Sequence, residues 1–188
     1  MTIFGYNGAT ANCEENYLTG GISTSFTTLT GCVSTDPYIS SINYNACSAS
    51  EGIDEIVTVI TGSDPIDIDD ITISYPSGGD YCNSGCGSQT NLNNPTYVSD
   101  LNTMAGCTVF AYANPIPPNS SVMIFTGNPP STVLDYSSQC GAANLPVYVI
   151  FSNNSSTSGR FANSAERDLT IDWGTGSTQT VTYDGGLQ

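Results

Sequence analysis

The chain has 188 residues, with 17 acids against two arginines, a formal charge of −15, and neither histidine nor lysine. There is therefore no imidazole base or histidine zinc ligand, and no Schiff-base or P-loop lysine. The negative field excludes binding to a phosphate backbone and disfavours an anionic membrane surface.

What remains is carboxylates, hydroxyls, amides and seven cysteines, and cysteines without histidine point to disulfides in an oxidising compartment. The chain is long enough for one well-cored domain, and its apolar residues come in strand-length clusters. No apolar stretch is long enough to span a bilayer. No basic n-region and apolar h-region open the sequence, so it reads as a processed segment or a piece of a longer product.

Residues 1–46 are rich in Thr, Ser, Gly and Asn, with candidate strands at Ile22–Leu29 and Tyr38–Tyr44. Glu55–Thr61 is rich in β-branched residues and closed by Gly62-Ser63-Asp64-Pro65, which predicts a strand. In the following PIDIDDITISYP, Ile66 and Ile68 share one phase and Ile71, Ile73 and Tyr75 the other. A period-two pattern can slip only at a bulge or bend, here at Asp69-Asp70. Ser77–Gly106 reads as an insertion with one helix, near Asn94–Ala105: Asn94 caps, Pro95 takes the first turn and Gly106 closes. Strands resume at Thr108–Ala113, Ser121–Thr126, Pro146–Phe151, Leu169–Trp173 and Thr178–Tyr183. Many short strands with regular turns predict an all-β, antiparallel sandwich over residues 47–184.

The order of segments SEGIDEIVTVIT, DPIDIDDITISYP, PIPPNSSVMIFTG, PVYVIFSNNSSTSGRFAN and LTIDWGTGSTQTVTYD resembles the lamin-tail-domain-like modules of secreted Bacteroidetes proteins. YCNSGCGSQTNLNNPTYVSDLNTMAGC is similar to the cysteine-bearing insert of one subgroup. The resemblance covers about residues 47–184. It implies an Ig-like sandwich acting as an accessory or surface module, and brings no catalytic residues. Residues 1–46 stand outside it as a separate N-terminal segment, with residues 47–188 as the sandwich domain.

Cysteines stand at Cys13, Cys32, Cys47, Cys82, Cys86, Cys107 and Cys140, an odd number, so one thiol is free or bridged to another chain. Proximity favours Cys13–Cys32, and Cys86–Cys107 would tie down the helical insert. The spacing of Cys82 and Cys86 is a poor match to a thiol oxidoreductase and reads as structural. Asp64, Asp67, Asp69 and Asp70 form a candidate Ca²⁺ site, set against a solvated strand edge because DPIDIDD lacks the glycine and terminal glutamate of a Ca²⁺ loop.

Glu51, Asp54, Glu55 and Asp172 are the carboxylates a hydrolase would draw on, although no spacing pairs them. Trp173 reads as core, with a sugar platform as the sharper alternative. Arg160 and Arg167 are candidates for docking a neighbouring acidic surface, and Asn119, Asn153 and Asn154 read as loop asparagines.

The sequence thus favours a non-enzymatic, secreted structural or adhesive module of a cell-surface protein or extracellular assembly. Its partners would be proteins, copies of itself included, joined through an open strand edge or the odd cysteine, and no resident cofactor is called for beyond the candidate Ca²⁺. The alternatives are a carbohydrate- or Ca²⁺-binding accessory module and a carboxylate-only hydrolase.

Overall fold

A computed structural model describes residues 35–44, 51–83, 86–141, 145–155, 157–161 and 164–185. The candidate strand Ile22–Leu29 and the cysteines Cys13, Cys32 and Cys47 lie outside the described residues. In chain order the elements are β1 (Tyr38–Asn43), α1 (Glu51–Asp54), β2 (Ile56–Ile60), β3 (Thr72–Ser74), β4 (Tyr81–Cys82), α2 (Pro95–Ala105), β5 (Phe110–Ala111), β6 (Ser121–Phe125), β7 (Val147–Phe151), β8 (Glu166–Asp172) and β9 (Thr178–Asp184). Two sheets form: a five-stranded one in the order β1-β2-β6-β7-β5 and a four-stranded one in the order β4-β3-β8-β9.

The all-β sandwich expected from the turn spacing is present. Two details differ. The five-stranded sheet is mixed, because β7 runs parallel to both β6 and β5. The chain between β6 and β7 crosses over through a 3-10 turn at Ser137–Gly141 rather than a tight hairpin, so it returns to the starting end of the sheet. In addition, β1 belongs to the sandwich: it pairs antiparallel with β2 and buries Ile39 in the core, so the sheet reaches back before residue 47.

The layers follow from burial. Between the sheets lie Val57, Val59, Val122, Ile124 and Ile150 from one side and Ile73, Leu169, Ile171, Trp173 and Val181 from the other. The opposite face of the five-stranded sheet, with Met123, Phe125, Val147, Val149 and Phe151, packs against Leu101 and Ala105 of α2 and against Tyr136. The five-stranded sheet is therefore the middle of three layers.

Helix α2 forms where its caps place it. The Asn94 side chain accepts from Thr96 N, Pro95 occupies the first turn, and Gly106 closes the helix at φ 76°, a left-handed backbone that suits glycine. The phase slip at Asp69-Asp70 is a 3-10 turn over Ile68–Asp70, after which Ile71 and Ile73 point back into the core.

Two disulfides lie among the described residues, Cys82–Cys86 and Cys107–Cys140. The expected Cys86–Cys107 bridge is not formed. The chain loops so that Gln89 lies parallel beside Tyr81, and within this loop Cys86 bonds Cys82. Cys107, just past α2, instead meets the 3-10 turn that packs on the same helix. These bridges indicate an oxidising environment. Among the described residues no helix is long and apolar enough to cross a membrane.

Candidate functional site

The sandwich is closed along its two sides by different means. On one side β1 meets β9: Tyr44 stacks on Tyr183 with ring centroids 4.6 Å apart, and Ile39 N donates to Gln179 Oε1 at 2.6 Å. On the other side a strap, Gln89–Leu92, runs from the outer sheet to the middle one. Cys82 N donates to Gln89 O at 2.8 Å, and Leu92 N donates to Phe151 O at 2.7 Å.

Beneath this strap lies a nest of polar side chains. Asn83 Nδ2 donates to Asp69 Oδ1 at 2.6 Å, Asn91 N donates to Asn83 Oδ1 at 2.5 Å, and Asn91 Nδ2 donates to Tyr112 Oη at 2.9 Å. Tyr81, on β4, is fully buried. Its hydroxyl and Asn91 Oδ1 are both withdrawn from solvent without a partner in hydrogen-bonding geometry. Burial, then the neighbouring Tyr75, Asp69 and Tyr112, push the Tyr81 phenol far above its ordinary range, and the nearby Asn83 amide only partly opposes them.

A second polar centre lies around Glu55, which is fully buried. Its carboxylate accepts from Arg160 N at 2.5 Å, Phe161 N at 3.2 Å and the Thr126 hydroxyl at 3.4 Å. A side chain on Gly159 would collide with Glu55 Oε1. This is a carboxylate fixing the β7–β8 connection to the start of β2. Tyr75 beside it is raised first by burial and then by Glu55, with Arg160 pulling the other way.

Of the four aspartates read as a candidate Ca²⁺ site, Asp67 caps its own turn by accepting from Asp69 N at 2.9 Å, and Asp69 is held by Asn83. Asp70 stands where a side chain on Gly174 would be, and Asp64 is exposed after β2. Among the described residues no three Asp, Glu or Cys side chains gather as a metal cluster. Alternation and the 3-10 turn send these acids in different directions.

Of the carboxylates considered for hydrolysis, the Glu51 side chain lies outside what the structure describes, and Glu55 is the buried clamp above. Asp54 is buried beside Tyr136, and Asp172 is exposed and accepts from Gly174 N. Trp173 is buried between the sheets rather than offered as a platform. Arg160 is half-buried with its guanidinium against Gly79, and Ser77 N donates to its carbonyl; Arg167 is exposed on β8. Asn119 is an exposed turn residue at φ 55°. Asn153 Oδ1 accepts from Thr90 N, and Asn154 is buried with its amide on Thr126 O.

The chain itself serves part of three of the four outer strand edges. Asn102 of α2 accepts from Val109 N and Phe110 N and donates to Phe110 O, capping β5. Gln179 caps β1, and Gln89 bridges β4. The Asn102 and Gln179 side chains and the Gln89 backbone thus occupy part of the edges of β5, β1 and β4, while β9 forms the remaining outer edge. Beside α2 there is a shallow depression of about 590 Å³ lined by Val98, Asn102, Cys107 and neighbours.

Sequence spacing pointed toward neither centre. The nest joins residues of four segments, and Glu55 looks like any strand-end acid until the chain after residue 157 closes over it. Compared with family models, with curated proteins and with solved structures, the chain gives no match.

Proposed function

We propose that this chain is a non-enzymatic, secreted structural or adhesive module, of the lamin-tail-like kind, working within a cell-surface protein or an extracellular assembly. The observation that supports this best is the use of the acids. Glu55, fully buried, is engaged by the backbone N–H groups of Arg160 and Phe161 and by the Thr126 hydroxyl. Asp67, Asp80 and Asp172 tie backbone amides in the same way. Groups so engaged serve shape, not proton transfer to a substrate.

Association would run through the odd cysteine, or through strand addition at the outer edge of β9. Cys82–Cys86 and Cys107–Cys140 use four of the seven cysteines, which leaves an odd number, so one thiol lacks a partner within a single chain. Light scattering on non-reduced protein and a non-reducing gel test this. A covalent dimer or ladder that collapses on reduction is expected. A strict monomer with one freely titratable thiol would remove the assembly reading. Glycosidase activity abolished by Glu55→Gln in a still-folded protein would remove the non-enzymatic one.

A further inference from the structure

We propose that the outer edge of β9 is the seat of residues Ile22–Leu29 of the same chain, added as an antiparallel strand of the outer sheet. Of the four outer edges β9 is the longest, with seven residues, and its pairing with β8 fixes what it offers. Gly185 N donates to Ala165 O and Trp173 N donates to Ser177 O, so the odd-numbered residues of β9 turn their N–H and C=O groups toward β8. The even-numbered residues turn theirs outward, and on that side Tyr44 Oη donates to Asp184 O at 3.1 Å. Among the described residues nothing meets the outward N–H and C=O groups of Thr178, Thr180 and Thr182. An edge of this length is a template for another strand.

Length, charge, chain path and pattern select the occupant. ISTSFTTL is as long as the edge, and Gly20-Gly21 and Gly31 bound it. No charged residue lies between Glu15 and Asp36, so this segment approaches an acidic sheet without repulsion. The chain also enters at the right end. Ile39 N donates to Gln179 Oε1 and Tyr44 Oη to Asp184 O, so β1 starts beside the start of β9. A strand antiparallel to β9 finishes at that same end. The six steps from Leu29 to Thr35 span up to about 20 Å, against about 10 Å between packed sheets. With Ser25 opposite Thr180, Ser23 meets Thr182 and Thr27 meets Thr178, hydroxyl beside hydroxyl on the exposed face, as Thr170 and Thr180 already pair. Ile22 and Phe26 then face inward beside Tyr183 and Gln179. So short a tether gives an effective concentration of about millimolar, which favours the chain's own segment over that of a second copy. A strict monomer would seat the segment equally well, so the proposal does not rest on the assembly reading. It chooses between the two routes of association: with β9 taken, copies join through the odd cysteine.

The test is amide hydrogen exchange of the full chain, followed residue by residue by NMR. With the edge empty, protection along β9 alternates: Val181 and Tyr183 are slow, while Thr180 and Thr182 exchange as free amides. With the segment seated, Thr180 and Thr182 should slow by about 100-fold or more, and Ser23, Ser25 and Thr27 with them. Ser25→Pro removes an N–H from the middle of the added strand. It should return Thr180 and Thr182 to the free rate and leave Val181 and Tyr183 slow. Should the proline disturb folding, the wild-type amides of Ser23, Ser25, Thr27, Thr180 and Thr182 decide alone. Free exchange at Thr180 and Thr182 in the wild type overturns the proposal. Protection that survives Ser25→Pro overturns it as well, because another segment then covers β9. Protection lost on dilution, together with a dimer in light scattering, means that a second copy donates the strand, and the same-chain seat falls.

Discussion

The two sheets read differently along their strands, and the difference shows which one lies in the middle. In β6 and β7 nearly every residue is buried, on both faces: SVMIF and VYVIF leave only Ser121 and Tyr148 partly exposed. In β8 and β9 burial alternates, with Leu169, Ile171, Val181 and Tyr183 inside and Asp168, Asp172, Thr180 and Thr182 outside. Strands covered on both faces become continuously apolar, whereas a strand with one wet face keeps the period of two. The wet face is dressed with hydroxyls and acids that pair across strands, as Thr182 Oγ1 does with Asp168 Oδ1 at 2.6 Å.

The largest expected effect comes from alkali and probes both cores together. Tyr75 and Tyr81 lie between the sheets and Tyr136 lies on the helix side, and burial is the first cause raising all three above their ordinary range. Each folded phenol keeps its proton where the unfolded chain, with pKa about 10, loses it. Their contribution is therefore whole below about pH 10 and declines as pH rises, by about 4 kcal/mol per pH unit for the three. Chemical denaturation at a series of pH values should show this slope, and Tyr136→Phe should reduce it by about a third. A stability flat to pH 11 would mean that these phenols ionise freely in the folded state.

Truncation separates the sheets directly. In β7 the neighbours Ile150 and Phe151 face opposite layers, so Ile150→Ala and Phe151→Ala should each cost about 2–5 kcal/mol. In β8 only alternate positions should respond: Ile171→Ala within that same range, and Asp172→Ala by no more than about 0.5 kcal/mol. Urea midpoints at constant slope decide the matter, and a mild Phe151→Ala would mean that α2 does not cover the middle sheet.

The disulfides compare in the same way. Cys107–Cys140 spans 33 positions and fastens the helical layer, whereas Cys82–Cys86 spans four within the outer sheet's insert. Loop-closure entropy assigns about 4 kcal/mol to the first and about 2 kcal/mol to the second. Paired Cys→Ser replacements, compared by thermal unfolding, should keep that order. The smallest effect is at the cap of α2, where Asn94→Ala should cost about 1 kcal/mol. Circular dichroism should show the loss confined to the helical signal near the transition.

The strands, the helix and its caps were legible in the sequence because each depends on neighbours in the chain. EIVTVIT carries its own β preference, and Asn94, Pro95 and Gly106 carry the start and stop of α2 within a dozen residues. The slip at Asp69-Asp70 was visible for the same reason, since alternation is a local rule. The parallel pairing of β7, the incorporation of β1 and the Cys107–Cys140 bridge were not visible, because each joins positions whose separation along the chain says nothing about their distance in space. The same holds for both polar centres. Glu55 became a clamp only when the backbone at residues 159–161 closed on it, and Asn91 met Asn83, which in turn holds Asp69, only when the strap crossed from one sheet to the other. Composition and period determined that this chain folds as strands around an apolar interior; the packing of three layers alone decided which acids and amides meet.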